Sequence, residues 1–292
     1  MKRIRRILRW LILATFVVVA IAWLVGSSFL RPSNHTVSPP PKNLPCEAVS
    51  FLSESGSEIH GWFVKTEQAK GAVLLLHGSG GDRTSMLSRV RFLRKAGYSC
   101  LTIDQRCNGE SIGTARTFGW LESLDAIAAV QWLHQHEPGL KVVVIGSSLG
   151  GASALLAKEK LSADAIIAEG VYGTLREAIW NRVDNRFGGI GANLFSPLLS
   201  VQVPLRLGLN IDEISPAKAA ASCCCALFVI HGENDRHAHF CEGKEIYEAC
   251  PHQFKQLWCV KDVGHVDLHK AAGTEYERRV LNFIDSAFHE TK

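Results

Sequence analysis

The 292-residue sequence lacks the motifs of several common ligand sites. No two of its nine cysteines have the C-x-x-C spacing of a zinc site, so we expect no bound metal. The glycine-rich loop at residues 78–81 matches neither G-x-G-x-x-G nor G-x-x-x-x-G-K, the motifs that bind nucleotide phosphates. The sequence therefore predicts no metal and no cofactor.

Acidic residues are absent from the first 31 positions, which carry six basic side chains. The rest of the chain has 26 basic and 28 acidic side chains and is close to neutral. Nucleic-acid-binding domains usually have a marked excess of positive charge. We therefore expect no nucleic-acid partner.

The N-terminus is typical of a membrane anchor. A basic segment at residues 1–9 precedes 21 residues without a charge, 10–30, enough for a helix across about 30 Å of hydrocarbon. Because basic flanks stay in the cytoplasm, we expect a single-pass protein with a cytoplasmic N-terminus and an extracytoplasmic domain, periplasmic or lumenal. Ala20-x-Ala22 also resembles a signal-peptide cleavage site, and cleavage there would give a secreted protein.

A proline-rich linker follows at residues 31–45. Its five prolines disfavour helix and strand. Such a linker is extended at about 3 Å per residue and could hold a domain roughly 45 Å from the bilayer. We place the folded domain at residues 46–292.

Apolar runs alternate with helical patterns from residue 46 onward, which predicts a doubly wound α/β sheet with flanking helices. The last six apolar runs are nearly continuous, as in parallel strands buried on both faces. The predicted strands are 48–52, 58–64, 72–77, 99–104, 142–147, 165–169, 226–231 and 255–260. The predicted helices are 86–96, 121–134, 150–160, 243–249 and 274–288. Residues 171–225 interrupt the alternation and are interpreted as a lid or pocket wall, the alternative being a helical excursion at the sheet edge.

The sequence GSSLG at residues 146–150 directly follows a predicted buried strand and precedes a helix. It matches G-x-S-x-G only when it is centred on Ser148, because centring on Ser147 would put Ile145 and Leu149 at the glycine positions. A strand-to-helix turn of this type exposes the serine hydroxyl above the sheet. Ser148 is therefore the candidate nucleophile.

A serine needs a base, and the base needs an acid to orient it. His265 follows the last predicted strand, at the same sheet edge as Ser148, and is the preferred base among the 12 histidines. Asp235 in HGENDRH is the preferred acid. The rival acids are Glu233 in the same loop, Glu169 at another strand end and Asp267, which lies very close to His265 in sequence.

An oxyanion hole requires two backbone N–H donors. The residue after the nucleophile, Leu149, supplies one in this type of site. The loop HGSGGDR after the third strand supplies the second, and Ser79 is the expected donor.

Five stretches occur in the order and approximate spacing of the α/β-hydrolase superfamily: LLLHGSGG, LTIDQRCNGES, IGSSLGG, VIHGENDRH and VGHVDL. Over residues 47–290 the chain resembles that superfamily, and most closely its membrane-anchored BEM46-like or serine-aminopeptidase-like members. The resemblance implies an eight-stranded sheet and a triad of Ser148, Asp235 and His265. It also implies an oxyanion hole formed by Ser79 and Leu149. One departure is Cys107, which stands where the superfamily commonly has glycine.

These features predict a membrane-anchored serine hydrolase that cleaves a carboxylic ester, thioester or amide through an acyl-enzyme. The apolar insertion and the anchor favour a small-molecule or lipid-like acyl ester as substrate. The alternatives are an aminopeptidase-like amide hydrolase, an enzyme that transfers the acyl group to an acceptor other than water, and a non-catalytic binding module of the same fold.

Overall fold

The computed structural model describes residues 2–290, and eight of its strands form one sheet. They are β1 Glu47–Leu52, β2 Glu58–Val64, β3 Ala72–Leu76, β4 Ser99–Ile103, β5 Val142–Ser147, β6 Ala165–Glu169, β7 Ala226–Gly232 and β8 Lys255–Val260. Each end of each strand lies within one residue of its prediction.

The strand order is β1-β2-β4-β3-β5-β6-β7-β8. Only β2 runs antiparallel to its neighbours, β1 and β4, and the other pairs are parallel. The predicted mostly parallel, eight-stranded sheet is therefore confirmed. The carboxyl ends of the parallel strands meet at one edge, where ligands bind in sheets of this type.

Within residues 2–290 the α-helices are α1 Lys2–Leu30, α2 Leu87–Lys95, α3 Glu122–His136, α4 Leu149–Leu156, α5 Leu175–Ser200, α6 Gln202–Leu207, α7 Pro216–Ala220, α8 Phe240–Ala249 and α9 Leu268–Glu290. Alternate side chains of the strands pack against α3, α4 and α8 on one face of the sheet. The others pack against α2 and α9 on the opposite face. Burial on both faces explains why the central strands are apolar throughout.

The insertion at residues 171–225 consists mainly of α5, α6 and α7. Gly188 interrupts α5 with a φ of +71°, a left-handed value that glycine adopts without a steric penalty. The chain bends there, so the second half of α5 and all of α6 can lie beside the N-terminal helix. The insertion therefore has a helical structure of its own.

The N-terminal helix α1 is the one helix of residues 2–290 that is long and apolar enough to cross a membrane. The segment that follows it is not the free spacer that its prolines suggest, and this expectation is corrected. Ser33 and Asn34 form a short parallel ladder with Asn108 and Gly109, and Leu44 is buried against the domain. Backbone hydrogen bonds and apolar burial hold the segment on the domain surface.

All nine cysteines lie within the described residues, and all are free thiols.

Candidate active site

The turn between β5 and α4 holds Ser148 in a strained conformation. Its φ of +49° and ψ of −109° are rarely adopted by residues with a side chain. Its N–H donates to the Glu169 carbonyl oxygen at 2.7 Å, which fixes the turn against the end of β6. Strain of this kind at a strand end is a frequent property of functional sites.

The glycines around Ser148 are required by close backbone contacts. A Cβ on Gly146 would lie 2.4 Å from the backbone of Gly150 and Gly151, and one on Gly150 would lie 2.4 Å from the Leu76 carbonyl oxygen. Cβ atoms essentially never approach other atoms so closely. The turn therefore excludes any other residue at these positions, as the sequence predicted from the spacing.

The predicted base and acid meet at the same sheet edge. His265 Nδ1 lies 2.7 Å from Asp235 Oδ2, and Asp235 Oδ1 accepts the N–H groups of His237 and Ala238 at 2.8 and 2.9 Å. Burial opposes the charge of Asp235, but the hydrogen bonds from His265 and from these two N–H groups outweigh it and lower the pKa of Asp235. Asp235 is therefore a charged acceptor that orients the imidazole.

Ser148 and His265 both lie close to the Glu169–Gly170 peptide. Ser148 binds the carbonyl of Glu169, and a Cβ on Gly170 would lie 3.5 Å from the His265 ring and 3.6 Å from Asp235 Oδ2. Among residues 2–290, the Ser148 hydroxyl forms no hydrogen bond, so the hydrogen bond between Ser148 and His265 that a triad requires is not formed in this structure. Such contacts are often long in the absence of substrate.

The rival carboxylates have other partners. Glu169 is buried and binds Arg89 through two bonds of 2.6 and 3.1 Å, and it also accepts the Tyr276 hydroxyl. Asp267 binds the same guanidinium at 2.8 Å. Glu233 is exposed and accepts the N–H of Asp262. Of the four candidate acids, only Asp235 forms a hydrogen bond with His265.

Two other histidines at strand ends are buried and serve the fold. His77 hydrogen-bonds the Gly78 carbonyl through Nδ1 and accepts the Gln105 N–H at Nε2, which holds the glycine-rich loop. His231 Nε2 accepts the Val171 N–H at 3.1 Å, and burial lowers the pKa of His231 to about 4. Each ring is therefore placed to stay neutral by its surroundings.

The candidate oxyanion donors border the same cavity as Ser148. Ser79 and Leu149 both line it, and within the described chain neither N–H is used in a backbone hydrogen bond. A Cβ on Gly78 would lie 3.6 Å from Ser148 Cβ, so the glycine-rich loop packs directly against the nucleophile turn.

Cys107 occupies the position where the resemblance leads one to expect glycine. It adopts a left-handed φ of +63° and is completely buried. Its carbonyl accepts the Ser33 N–H at 2.7 Å. The turn thus keeps the conformation that glycine favours, although a side chain is present.

The cavity over Ser148 has a volume of about 530 Å³. Its walls come from α5, from α6 and, unexpectedly, from seven residues of α1 between positions 18 and 30. Three arginines line it, Arg116, Arg182 and Arg186, and no carboxylate does. None of the three forms an ion pair within residues 2–290. The sequence motifs did not predict these arginines, because they lie outside the motifs at the strand ends.

The sheet order, the strained serine turn and the acid–histidine pair at one edge define a hydrolase of the α/β class. The α/β-hydrolase family model matches residues 73–222, and the chain belongs to this family. The finer affiliation with its BEM46-like members stays a hypothesis.

Similar proteins include lipid and ester hydrolases. The chain is 25% identical to the uncharacterized protein YfhR of Salmonella typhi, over 97% of both chains. It is 27% identical to the lysophosphatidylserine lipase ABHD12 of Bos taurus, over 60% of this chain and 44% of that one. Among solved structures, the esterase Pf2001 of Pyrococcus furiosus superposes with a TM-score of 0.74 at 26% identity, over 88% of this chain and 98% of that one.

Proposed function

We propose that the protein is a membrane-anchored serine hydrolase that cleaves an acyl ester, with Ser148 as nucleophile, His265 as base and Asp235 as the acid that orients it. The observation that carries the proposal is the 2.7 Å contact between His265 and Asp235, at the sheet edge where the turn presents Ser148. The esterase and lipase relatives support the reaction class.

The proposed reaction follows from the hydrogen bonds. Because the Nδ1–H group of His265 donates a hydrogen bond to Asp235, the Nε2 atom is left free to take the proton of Ser148 as its oxygen attacks the acyl carbon. The N–H groups of Ser79 and Leu149 stabilise the negative carbonyl oxygen of the tetrahedral intermediate. His265 then protonates the leaving alcohol, and water hydrolyses the acyl-enzyme by the same steps in reverse.

The cavity favours an acyl lipid ester over a peptide. Apart from its arginines, its lining is mostly aliphatic and aromatic, which suits an acyl chain. The three arginines without carboxylate partners suit an anionic head group. Membrane attachment through α1, with residues 1–9 in the cytoplasm, belongs to the same proposal and would bring the enzyme to lipid substrates.

A panel of nitrophenyl esters of increasing chain length, beside aminoacyl nitroanilides, tests the substrate class. We expect hydrolysis of the esters and none of the aminoacyl amides. Ser148→Ala and His265→Ala should each lower kcat by about 10⁴–10⁶-fold. Cleavage of the amides in preference to the esters would favour the aminopeptidase alternative instead, and wild-type inactivity on every substrate would favour the non-catalytic module.

A further inference from the structure

The N-terminal helix does more in this structure than precede the domain. Seven of its residues between positions 18 and 30, among them Val25 and Phe29, line the cavity that holds Ser148. A helix that served only as a tether would need no contact with the substrate cavity. The second half of α1 is instead one of its walls.

Specific contacts hold α1 against the insertion. Ala22 is the one buried side chain described on this helix, and its carbonyl accepts a hydrogen bond from Gln202 Nε2 at 3.0 Å. Gly26 lies one turn later, and a Cβ there would stand 2.1 Å from Gln202 Oε1. Small residues four positions apart allow membrane helices to approach closely.

A basic side chain of α6 completes the contact. Arg206 donates to Ser27 Oγ at 2.6 Å, and its guanidinium carbon lies 3.9 Å from the centre of the Trp23 ring. The N–H of Arg116 donates to the Leu30 carbonyl at 3.1 Å and fixes the end of the helix.

The position of these contacts along α1 sets the depth of the insertion. Residues 10–30 have no charge and, at about 1.5 Å per residue, just cross a hydrocarbon layer of about 30 Å. The contacts with Gln202 and Arg206 fall at residues 22–27, which is about 5–12 Å from the end of the helix at Leu30 and less than half of that length. If α1 spans the membrane, α6 and the second half of α5 lie beside it within the adjoining leaflet.

The surface of the insertion fits this depth. Residues 187–205 contain no charged side chain, although they belong to the folded domain. Large apolar side chains there are exposed, namely Phe187, Ile190, Leu194, Val201 and Leu205, and Ile190 is 89% exposed. In water such a surface would be unfavourable, whereas in a leaflet it is stabilising.

We infer that α1 is a wall of the substrate site, and that acyl esters reach Ser148 directly from the leaflet in which α5 and α6 lie, with the acyl chain beside Val25 and Phe29. The inference rests on the proposed function and adds the route and the location of the acyl chain. It also explains why the cavity contains apolar residues from both the anchor and the insertion.

Variants of α1 test this inference in full-length protein reconstituted in phosphatidylcholine vesicles. Val25→Trp and Gly26→Leu place larger side chains in the α1 wall and so narrow the cavity. Ala14→Trp changes an exposed position of the same helix outside the residues that line the cavity. The substrates are a fluorogenic oleoyl ester dissolved in the vesicles and water-soluble nitrophenyl acetate. We expect the ratio of the rate on the oleoyl ester to the rate on nitrophenyl acetate to fall about tenfold or more in the first two variants. Ala14→Trp should keep both rates.

A second measurement locates the acyl chain. A vesicle lipid with a diazirine in its acyl chain should label Val25 and Phe29, which line the cavity, and Leu24, which is exposed outside it. A long-chain fluorophosphonate bound to Ser148 should reduce the labelling of Val25 and Phe29 relative to that of Leu24. Unchanged oleoyl ester hydrolysis in both variants, or an unchanged ratio of labelling between these positions, would overturn the inference. Nitrophenyl acetate hydrolysis that requires Ser148 would leave the proposed function standing in that case.

Discussion

His265 Nδ1 lies 2.7 Å from Asp235 Oδ2, although 30 residues separate them in the chain. The loops after β7 and β8 bring them together, because these two parallel strands end at the same edge of the sheet. Two backbone N–H groups hold the second oxygen of Asp235, so the carboxylate has a fixed orientation toward the imidazole.

Replacement of Asp235 tests its role in orienting the base. Asp235→Asn would keep the size of the side chain but present an amide to His265 and favour the wrong tautomer. We expect kcat on a short ester to fall about 10⁴-fold. Glu233→Gln, in the same loop but exposed, is the matched control and should keep wild-type kinetics. Equal losses in both variants would refute a specific role for Asp235.

The buried Glu169–Arg89 pair should matter for stability and not for chemistry. Both side chains are almost completely buried, and the Tyr276 hydroxyl binds Glu169 as well. Glu169→Gln leaves the buried guanidinium of Arg89 with the half-exposed Asp267 as its one remaining carboxylate among residues 2–290, so the free energy of unfolding should fall by roughly 1–3 kcal/mol. Denaturant titration measures this change. Well below the melting temperature, and calculated per titrated active site, the kcat of Glu169→Gln should stay near the wild-type value. A loss of kcat comparable to that of Asp235→Asn would instead make Glu169 the acid.

Acid should destabilise the protein through His231. Its pKa of about 4 in the folded state lies below the ordinary value of 6.5, because burial disfavours the charged ring. The unfolded chain therefore binds more protons between these values, and the stabilisation present above pH 6.5 is lost as the pH falls through 4.

The expected loss is about 3 kcal/mol. Burial raises the pKa of Asp125 to about 6, which acts in the opposite direction, so the wild-type curve alone is ambiguous. The difference between wild type and His231→Gln isolates the histidine, since the variant should lack its part of the slope. A His231→Gln curve parallel to wild type would contradict the prediction.

The cavity arginines predict a preference for anionic esters. Burial lowers the pKa of Arg182, and within residues 2–290 its guanidinium donates a hydrogen bond only to the Ala178 carbonyl. An anionic head group would satisfy it. Arg182→Met should lower kcat/KM for an anionic acyl lipid about 10- to 100-fold, as for a lost charge-assisted hydrogen bond. A neutral ester of the same chain should be unaffected.

The control is Arg176→Met, because Arg176 pairs with Asp212 on the exposed surface, outside the cavity. It should keep the rates on both substrates. Parallel losses on the anionic and neutral esters in Arg182→Met would mean that the arginine supports the fold and does not select charge.

The sheet, the turn at Ser148 and the sheet edge that Asp235 and His265 share could be predicted because they depend on local patterns. Continuous apolar runs such as β5 arise only where both faces are buried, and parallel strands bring their carboxyl ends together. Residue spacing also distinguished Ser148 from Ser147, since Gly146 and Gly150 fill positions where a Cβ would meet backbone. The sequence left Glu169 as a rival acid, and the contacts of Glu169 with Arg89 give a physical reason to prefer Asp235.

The position of α1 and of the linker could not be predicted in the same way. Their contacts join residues far apart in sequence, such as Gln202 with Ala22 and Ser33 with Cys107, and no periodic pattern encodes such pairs. The length and apolar composition of a helix predict a membrane span whether or not the helix also packs on a domain. The prolines of residues 31–45 disfavour regular structure and therefore predict an extended linker. They do not exclude contact with the surface of the domain, and the sequence does not show that contact.

Labelling with a fluorophosphonate tests the central proposal most directly, because this reagent reacts with an activated serine and forms a stable bond. The full-length protein should become labelled at one residue, and mass spectrometry of the peptides should identify it as Ser148. Ser147→Ala, which removes the neighbouring hydroxyl, should keep the label, and Ser148→Ala should lose it. Labelling of Ser148→Ala at the wild-type rate would contradict the assignment of Ser148 as the nucleophile.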